Sequence, residues 1–468
     1  MLAICCLSLF LVGLDVTAVN VALPAIGRDL SASVSGLQWT VDAYTVVMAS
    51  LLMLGGSTGD RLGRRRTFAT GLTVFSVGSV LCSLAPTTSA LIAARVLQAV
   101  GASMLNPVAM SIITNTFTEP RERAQAIGVW AAVFGLSMAA GPVLGGLLTD
   151  ALDWRAIFWL NLPVGAAALF LTLRYVPESK AERARRPDPV GQVLVIALLA
   201  GLTYGIVEAP GHGWGSAEVV GAFVLAAVAL VGVLAYEPRR TDPLLDLRFF
   251  RSIPLASAVG LAIAAFAAFG GFLFLNTLYL QQSRGLSALD AGLATAPMAL
   301  AIALLAPIAG RLVGARGPRI PLLIAGVAGL AGTALMLGVE ATTPLPRVLL
   351  AYVVFGVGFA FVNAPVTNTA VSGMPREQAG VAAAVATTSR QVGLALGVAI
   401  AGAIFSTQLS GSSPAQLAAA THAAWWPILA AEALVLVLAF VATSARAVAS
   451  AQRTARELNP EALAPVAA

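Results

Sequence analysis

The chain has 468 residues, 58% of them hydrophobic and only 11% charged, whereas soluble domains carry about 25% charged residues. This composition excludes a soluble globular protein. The formal net charge of +6 would suggest nucleic acid in a soluble chain, but between apolar runs its distribution matters more than its sum. The chain therefore reads as a polytopic membrane protein with no nucleic-acid partner. Cys5, Cys6 and Cys82 sit in apolar runs without metal-ligand spacing and read as packing residues.

The first apolar run, Leu2 to Ala25, is about one bilayer thickness of helix. It starts right after Met1 without a basic stretch, so no cleavable signal is evident and the run reads as a retained span, or the start codon is misassigned. Asp15 lies near its middle. A carboxylate there costs roughly 2.5–3.5 kcal/mol on insertion scales, and its default reading is a functional group facing a cavity or a partner. Low-dielectric surroundings favour the protonated form of such an acid, which makes Asp15 a candidate proton carrier. Its alternative is a permanent ion pair with an arginine. Asn20, about a turn and a half further on, is a polar candidate for the substrate cavity.

Further runs of helix length follow at 37–58, 67–85, 90–117, 124–148 and 156–176, then at 190–208 and 217–236. Six close the chain, at 253–280, 291–313, 320–339, 348–371, 379–406 and 423–443. That gives fourteen expected spans. With a cytoplasmic N-terminus, the cytoplasmic loops and tail hold 22 of the 28 bases, the outside loops hold Arg28, Arg155, Arg284 and Arg347, and Arg95 and Arg390 lie within spans. This asymmetry predicts both termini in the cytoplasm. Every base but Lys180 is arginine, which suggests a GC-rich bacterial genome and hence a bacterial cytoplasmic membrane.

The second span opens near Asp42, which reads either as a second proton-coupling acid or as a solvated end charge. It closes on Gly56-Ser57-Thr58-Gly59-Asp60-Arg61-Leu62-Gly63-Arg64-Arg65. The glycines permit a tight turn, and Asp60 is placed to bond basic groups or helix ends and lock one conformation. The fourth span carries Arg95, Gln98, Ala102 and Asn106 along one helical stripe. A buried guanidinium must be paired or hydrated, with carboxylates such as Asp15 or Asp42, or carbonyls, as partners. On the fifth span Gly135, Pro142 and Gly146 share one face, while Gly141 and Gly145 make a second; small residues let helices touch, and Pro142 allows a bend. Trp130 and Phe134 on that span, with Asn276, Asn363, Arg390, Gln391 and Glu432 later, are the remaining cavity candidates. Glu208, Glu340, His212 and His422 read as solvated or bland.

The chain also repeats. Gly59-Asp60-Arg61-Leu62-Gly63 is echoed by Gly310-Arg311-Leu312-Val313-Gly314, and Pro120-Arg121-Glu122-Arg123-Ala124 by Pro375-Arg376-Glu377-Gln378-Ala379, at offsets of 251 and 255 residues. Parallel repeats of this kind mark transporters, with the site between the halves. The expected fold is an all-α polytopic membrane protein: a six-helix bundle over 1–176, linkers and two inserted spans over 177–252, a second six-helix bundle over 253–445, and a tail over 446–468 that reads as disordered. Glu237 to Arg251 is expected to lie on the membrane as an interfacial helix.

The 56–65 loop resembles the G-x-x-x-D-R-x-G-R-R signature of the major facilitator superfamily, and the fourth-span stripe is similar to its R-x-x-Q-G-x-G signature, with Ala99 for a glycine. The run from Gly135 through Gly141-Pro142 to Gly145-Gly146 resembles the signature found mainly in superfamily antiporters. Leu14–Pro24, Gln38–Tyr44 and Asp153–Pro163 resemble runs of the 14-span drug:proton antiporter branch, with Ala156 departing. The resemblance implies a major facilitator fold, proton transfer through the Arg95 stripe, and proton-coupled efflux of lipophilic drugs or antibiotics by alternating access, cationic compounds being one option. The alternatives are proton-coupled uptake or export of a metabolite, and a non-transporting sensor or scaffold. No nucleophile–base pair, metal cluster or nucleotide loop is evident, so the expectation is a monomeric non-enzyme without cofactor or metal, driven by a proton gradient.

Overall fold

A computed structural model describes residues 1–181, 188–240, 243–244, 246–372, 374, 378–409, 411 and 413–458. With no water in the hydrocarbon to satisfy peptide groups, apolar runs must bond internally as helices, and no strand occurs among the described residues. The first group of helices is α1 (Leu2–Asp29), α2 (Val34–Leu62), α3 (Arg64–Ser83), α4 (Thr88–Thr116), α5 (Pro120–Ala151) and α6 (Ala156–Tyr175). The inserted pair is α7 (Pro189–His212) and α8 (Ala217–Tyr236). The second group is α9 (Ile253–Leu278), α10 (Ala288–Arg316), α11 (Arg319–Met336), α12 (Leu345–Ala360), α13 (Asn363–Val371), α14 (Ala379–Gln408) and α15 (Pro414–Ala442), and α16 (Ala445–Leu458) follows it.

Thirteen spans among the described residues are long and apolar enough to cross a membrane, with α12 and α13 counting as one interrupted span. The fourteenth helix column is α3. It opens on Arg64-Arg65-Arg66, which lowers its hydropathy, yet it packs inside the first group against α4 and α6. Helix starts follow local chemistry. Ser33, Thr87, Asp188, Ser216 and Ser287 each accept an N–H from the first turn of the helix they precede, the usual work of an N-cap oxygen. Between α2 and α3, Gly63 adopts φ +115°, a region that favours glycine.

Two sequence expectations are corrected here. The tail is not wholly irregular: α16 is an amphipathic helix that seats Ala447, Ser450, Ala451 and Thr454 on the protein, while residues 459–468 lie outside the described set. The Glu237–Arg251 stretch forms two short turns, Glu237–Arg239 and Leu247–Arg251, rather than one interfacial helix. Phe249 points inward and packs with Leu255 and Ala382. The second copy of the Pro-Arg-Glu repeat, 375–377, lies outside the described residues.

The two groups meet along α5–α10, α2–α14 and α1–α9. The inserted α7 packs on both α2 and α14, over the seam between the groups.

Candidate functional site

Asp15 sits at the centre of a polar cluster built by five helices of the first group, and it is fully buried. Its Oδ1 accepts Gln98 Nε2 at 2.8 Å and Asn161 Nδ2 at 3.0 Å. Its Oδ2 accepts Arg95 Nη1. Arg95, 1% exposed, also donates through Nε to the Thr40 carbonyl at 3.1 Å and through Nη1 to Gln98 Oε1 at 2.7 Å. Its guanidinium lies 4.2 Å from the Tyr44 ring centroid, within cation–π range. Ser79 Oγ closes the cluster by accepting Gln98 and Asn161 amides at 2.8 and 3.2 Å. Each partner gives Asp15 a proton to accept, and the opposite charges balance, which is the condition for burying both. The carboxylate expected to face a cavity thus faces the interior of its own helix group.

The stripe spacing on α4 explains how Arg95 and Gln98 share one acid, since residues three apart lie on one helix face. Asn161 and Ser79 were not singled out from sequence. Asn161, an amide between Leu160 and Leu162 in an apolar run, carried a signal; a lone serine in α3 carried little.

Asp42 lies elsewhere on α2. It is fully buried, and neither carboxylate oxygen has a hydrogen-bond partner among the described residues, so the reading as a solvated end charge is wrong. Gln38, Asp42, Val46 and Ala49 follow one face at helical spacing. Gln38 Nε2 donates to the Val398 and Ala399 carbonyls of α14 at 3.3 and 2.9 Å. Val46 and Ala49 face Val392, Ala395 and Leu396 of α14 beside Leu199 and Leu202 of α7. Asp42 therefore lies on the α14-facing side of α2, at the seam between the two groups.

The seam is closed at one end of the molecule. Besides Gln38, Gln281 Nε2 donates to the Val21 carbonyl at 2.6 Å. Asp150, at the end of α5, accepts the N–H groups of Ala288 and Leu289 at 3.2 and 2.8 Å. Gly146 and Gly292 let α5 and α10 touch backbone to backbone, Gly146 against Ala288 and Gly292 against Pro142. Gly128 lies on the same face of α5 as Gly146, about five turns away, and Gly310 stands in the same relation to Gly292 on α10. Among the described residues, nothing lies within 4 Å of a Cβ placed on Gly128, Gly135, Gly310 or Gly314. The facing stripes of α5 and α10 thus touch at the Asp150 end and part towards the Asp60 end. Gly141 and Gly145 use the other face of α5 and pack on Thr17 and Ala18 of α1.

At the Asp60 end the loop is tied to its own group. Arg64 Nη2 lies 3.0 Å from Asp60 Oδ1. Glu178, just past α6, accepts the Arg65 N–H at 3.1 Å and sits 3.6 Å from Arg66 Nε. The Asp60 carbonyl accepts the Ala181 N–H at 3.1 Å. Gly56 and Gly59 rest on Pro107 and Val108 of α4, and Arg61 makes no ion pair among the described residues.

The remaining candidates divide. Asn20 Nδ2 bonds the Val16 carbonyl at 2.8 Å. Buried polar atoms of Asn20, Asn106, Trp130 and Gln391 have no partner among the described residues. Phe134 packs beside Gly13 of α1. Arg390, with no carboxylate partner among the described residues, donates to Thr367 Oγ1 and lies 5.9 Å from the Phe266 ring centroid; Asn363 opens α13 nearby. Phe266, Phe269 and Phe359 form a buried ring cluster within the second group, with centroids 5.1 and 4.1 Å apart. Asn276 bonds Tyr352 inside that group, and Glu432 is pressed against Gly329 of α11. Glu208 also departs from expectation. It is 15% exposed, accepts Trp39 Nε1 at 2.6 Å and lies 3.4 Å from His212, fastening α7 to α2. His422 bonds the Val339 carbonyl at 2.9 Å.

Comparison with known proteins agrees with this architecture. The family model described as Major Facilitator Superfamily matches residues 5–398. The multidrug resistance protein Stp of Mycobacterium tuberculosis is 38% identical over 406 residues, covering 87% of this chain and 75% of its own. The puromycin resistance protein pur8 of Streptomyces alboniger is 40% identical over 414 residues, covering 87% and 81%. The tetracenomycin C resistance and export protein of Streptomyces glaucescens is 36% identical over 405 residues, covering 86% and 75%. Among solved structures, a bacterial homologue of the human drug peptide transporters PepT1 and PepT2 superposes with a TM-score of 0.69 at 15% identity, covering 97% of this chain and 98% of that one, a likeness of fold. The paired helix groups, the closed seam and these relatives agree: the chain is a multi-pass membrane protein of the Major Facilitator Superfamily.

Proposed function

We propose that the protein exports lipophilic drugs or antibiotics in exchange for protons, by alternating access between its two helix groups. The observation that carries the reading is Asp42, an acid without a hydrogen-bond partner among the described residues, buried on the seam that closes one mouth of the transporter. The Asp60 end carries most of the bases and is assigned to the cytoplasm of a bacterial cell; the closed Asp150 end is then the outer mouth. An ionised carboxylate buried without a counter-charge is strongly disfavoured. Closing the outer seam over Asp42 therefore takes a proton with it. Release of that proton into the inward-facing cavity leaves a charge in the seam, which favours reopening and water entry. Inward movement of protons is coupled in this way to outward movement of substrate.

Asp15 and Arg95 supply a charge-balanced core that ties α2 to the rest of the first helix group, so that the group moves as one body against the second. The resistance and export proteins to which the chain is similar support the direction of transport, and the unpartnered groups of Asn106, Trp130 and Gln391 offer a substrate hydrogen-bonding positions. Purified protein in proteoliposomes with an imposed pH gradient tests the reading, with puromycin, tetracenomycin C and a fluorescent lipophilic cation as substrates. Proton release from the acidic compartment on adding substrate, with substrate moving against its gradient, is the expected result. Transport indifferent to the pH gradient contradicts proton coupling, and substrate moving together with protons contradicts export.

A further inference from the structure

The tail helix α16 lies across the start of α9 at the Asp60 end. Ser450 Oγ accepts the Ile253 N–H at 3.0 Å, and Arg251 pairs with Glu457 at 3.0 Å. These contacts fix which face of α16 looks outward. On that face Arg446, Ala449, Arg453 and Arg456 recur at helical spacing. Together with Gln452 and Ile253 they line a concavity of about 430 Å³.

The three arginines have no ion-pair or hydrogen-bond partner among the described residues, whereas neighbouring bases do: Arg248 pairs with Asp246 and Arg251 with Glu457. Three unneutralised guanidiniums around one hollow repel each other, and each presents a fork of donors suited to phosphate oxygens. Ala449 keeps the hollow open where a longer side chain would fill it. The hollow also sits where an apolar span begins, between α16 and Ile253 at the start of α9. Exposed Phe440 and Val441 in the last turn of α15, and Val448 two residues after Arg446 on α16, supply an apolar border close to it in the chain.

We infer that the Arg446–Arg453–Arg456 hollow binds the phosphate headgroup of an anionic phospholipid of the cytoplasmic leaflet, with the acyl chains running over Phe440, Val441 and Val448. Basic pockets beside transmembrane helices on that side suit such headgroups. A free phosphate anion shares the headgroup chemistry but has no use for the apolar border. The bound lipid would tether α16, and through Ser450 the start of α9, to the membrane surface.

The test is native mass spectrometry of the full chain purified with phosphatidylglycerol or phosphatidylcholine, alongside Arg446→Gln/Arg453→Gln/Arg456→Gln and the single Arg453→Gln. At about fivefold per arginine, removing all three should weaken phosphatidylglycerol retention on the order of a hundredfold. Phosphatidylcholine retention should stay unchanged. Arg453→Gln, the milder change, should give an intermediate loss and keeps the test decisive if the triple variant is unstable. Equal phosphatidylglycerol retention by the wild type and Arg453→Gln overturns the assignment. So does displacement of the lipid by millimolar inorganic phosphate, which would mark the hollow as a site for a free anion.

Discussion

The carboxylate of Asp150 grips the backbone of Leu289 across the boundary between the two helix groups, with Oδ2 2.8 Å from the amide nitrogen and Oδ1 on the neighbouring Ala288 N–H at 3.2 Å. Both amides belong to the first turn of α10, where helix N–H groups lack partners of their own and the helix dipole favours negative charge. A hydrogen bond to a charged group contributes about 1.5–3 kcal/mol. Asp150→Ala should therefore shift the balance away from the seam closed at the Asp150 end by roughly ten- to a hundredfold. Double electron–electron resonance across α5 and α10 reads this directly, and an unchanged distance distribution would remove Asp150 from the latch.

The glycine contacts make a steric prediction. A valine at Gly146 meets the Ala288 carbonyl and Leu289 backbone, so Gly146→Val should hold the seam open at the Asp150 end and reduce turnover about fivefold or more, since overpacking costs roughly 1–3 kcal/mol. Gly221, on α8 with nothing near its Cβ position, gives the control: Gly221→Val should transport normally. Loss of transport by both would point to a general loss of folding instead.

Asp15 and Arg95 predict coupled destabilisation. Removing one partner of a buried ion pair strands the other and costs about 3–5 kcal/mol. Arg95→Ala and Asp15→Asn should each lower thermal stability in detergent markedly. The double variant Asp15→Asn/Arg95→Gln should recover part of that stability without recovering transport. If the single variants melt like the wild type, the pair does not hold the first group together.

The sequence made the parts of this site legible more readily than their pairing. The α4 stripe and the acid in α1 could be read because intramembrane charges are costly and helical spacing is regular. That Arg95 would choose Asp15 over Asp42 was not readable, since the choice depends on how α2 is rotated. Tyr44 and the Thr40 carbonyl face Arg95, which turns Asp42 towards α14. The burial of Asp42 so near the start of its helix depends on the covering by α14 and α7, contacts far away in the chain. The glycine faces of α5 were visible, but which end of each touches α10 depends on how the two helix groups are set against each other, through contacts far apart in the chain. The order in α16 was hidden by its alanine-rich, arginine-rich composition, in which the buried face is made only of Ala, Ser and Thr.

On the proposed mechanism, closing the seam at the Asp150 end binds a proton at Asp42. The closed state then holds more protons than the open one, so by linkage closure is favoured as pH falls and lost as pH rises. Cys5, Cys6 and Cys82 are buried, which leaves cysteines introduced at the exposed Leu152 and Leu293 open to selective spin labelling. Resonance distances between them across a pH series, in wild type and Asp42→Asn, are the most direct measurement. The wild type should close progressively on acidification, while Asp42→Asn should stay closed throughout; a full wild-type pH response in Asp42→Asn would contradict the account.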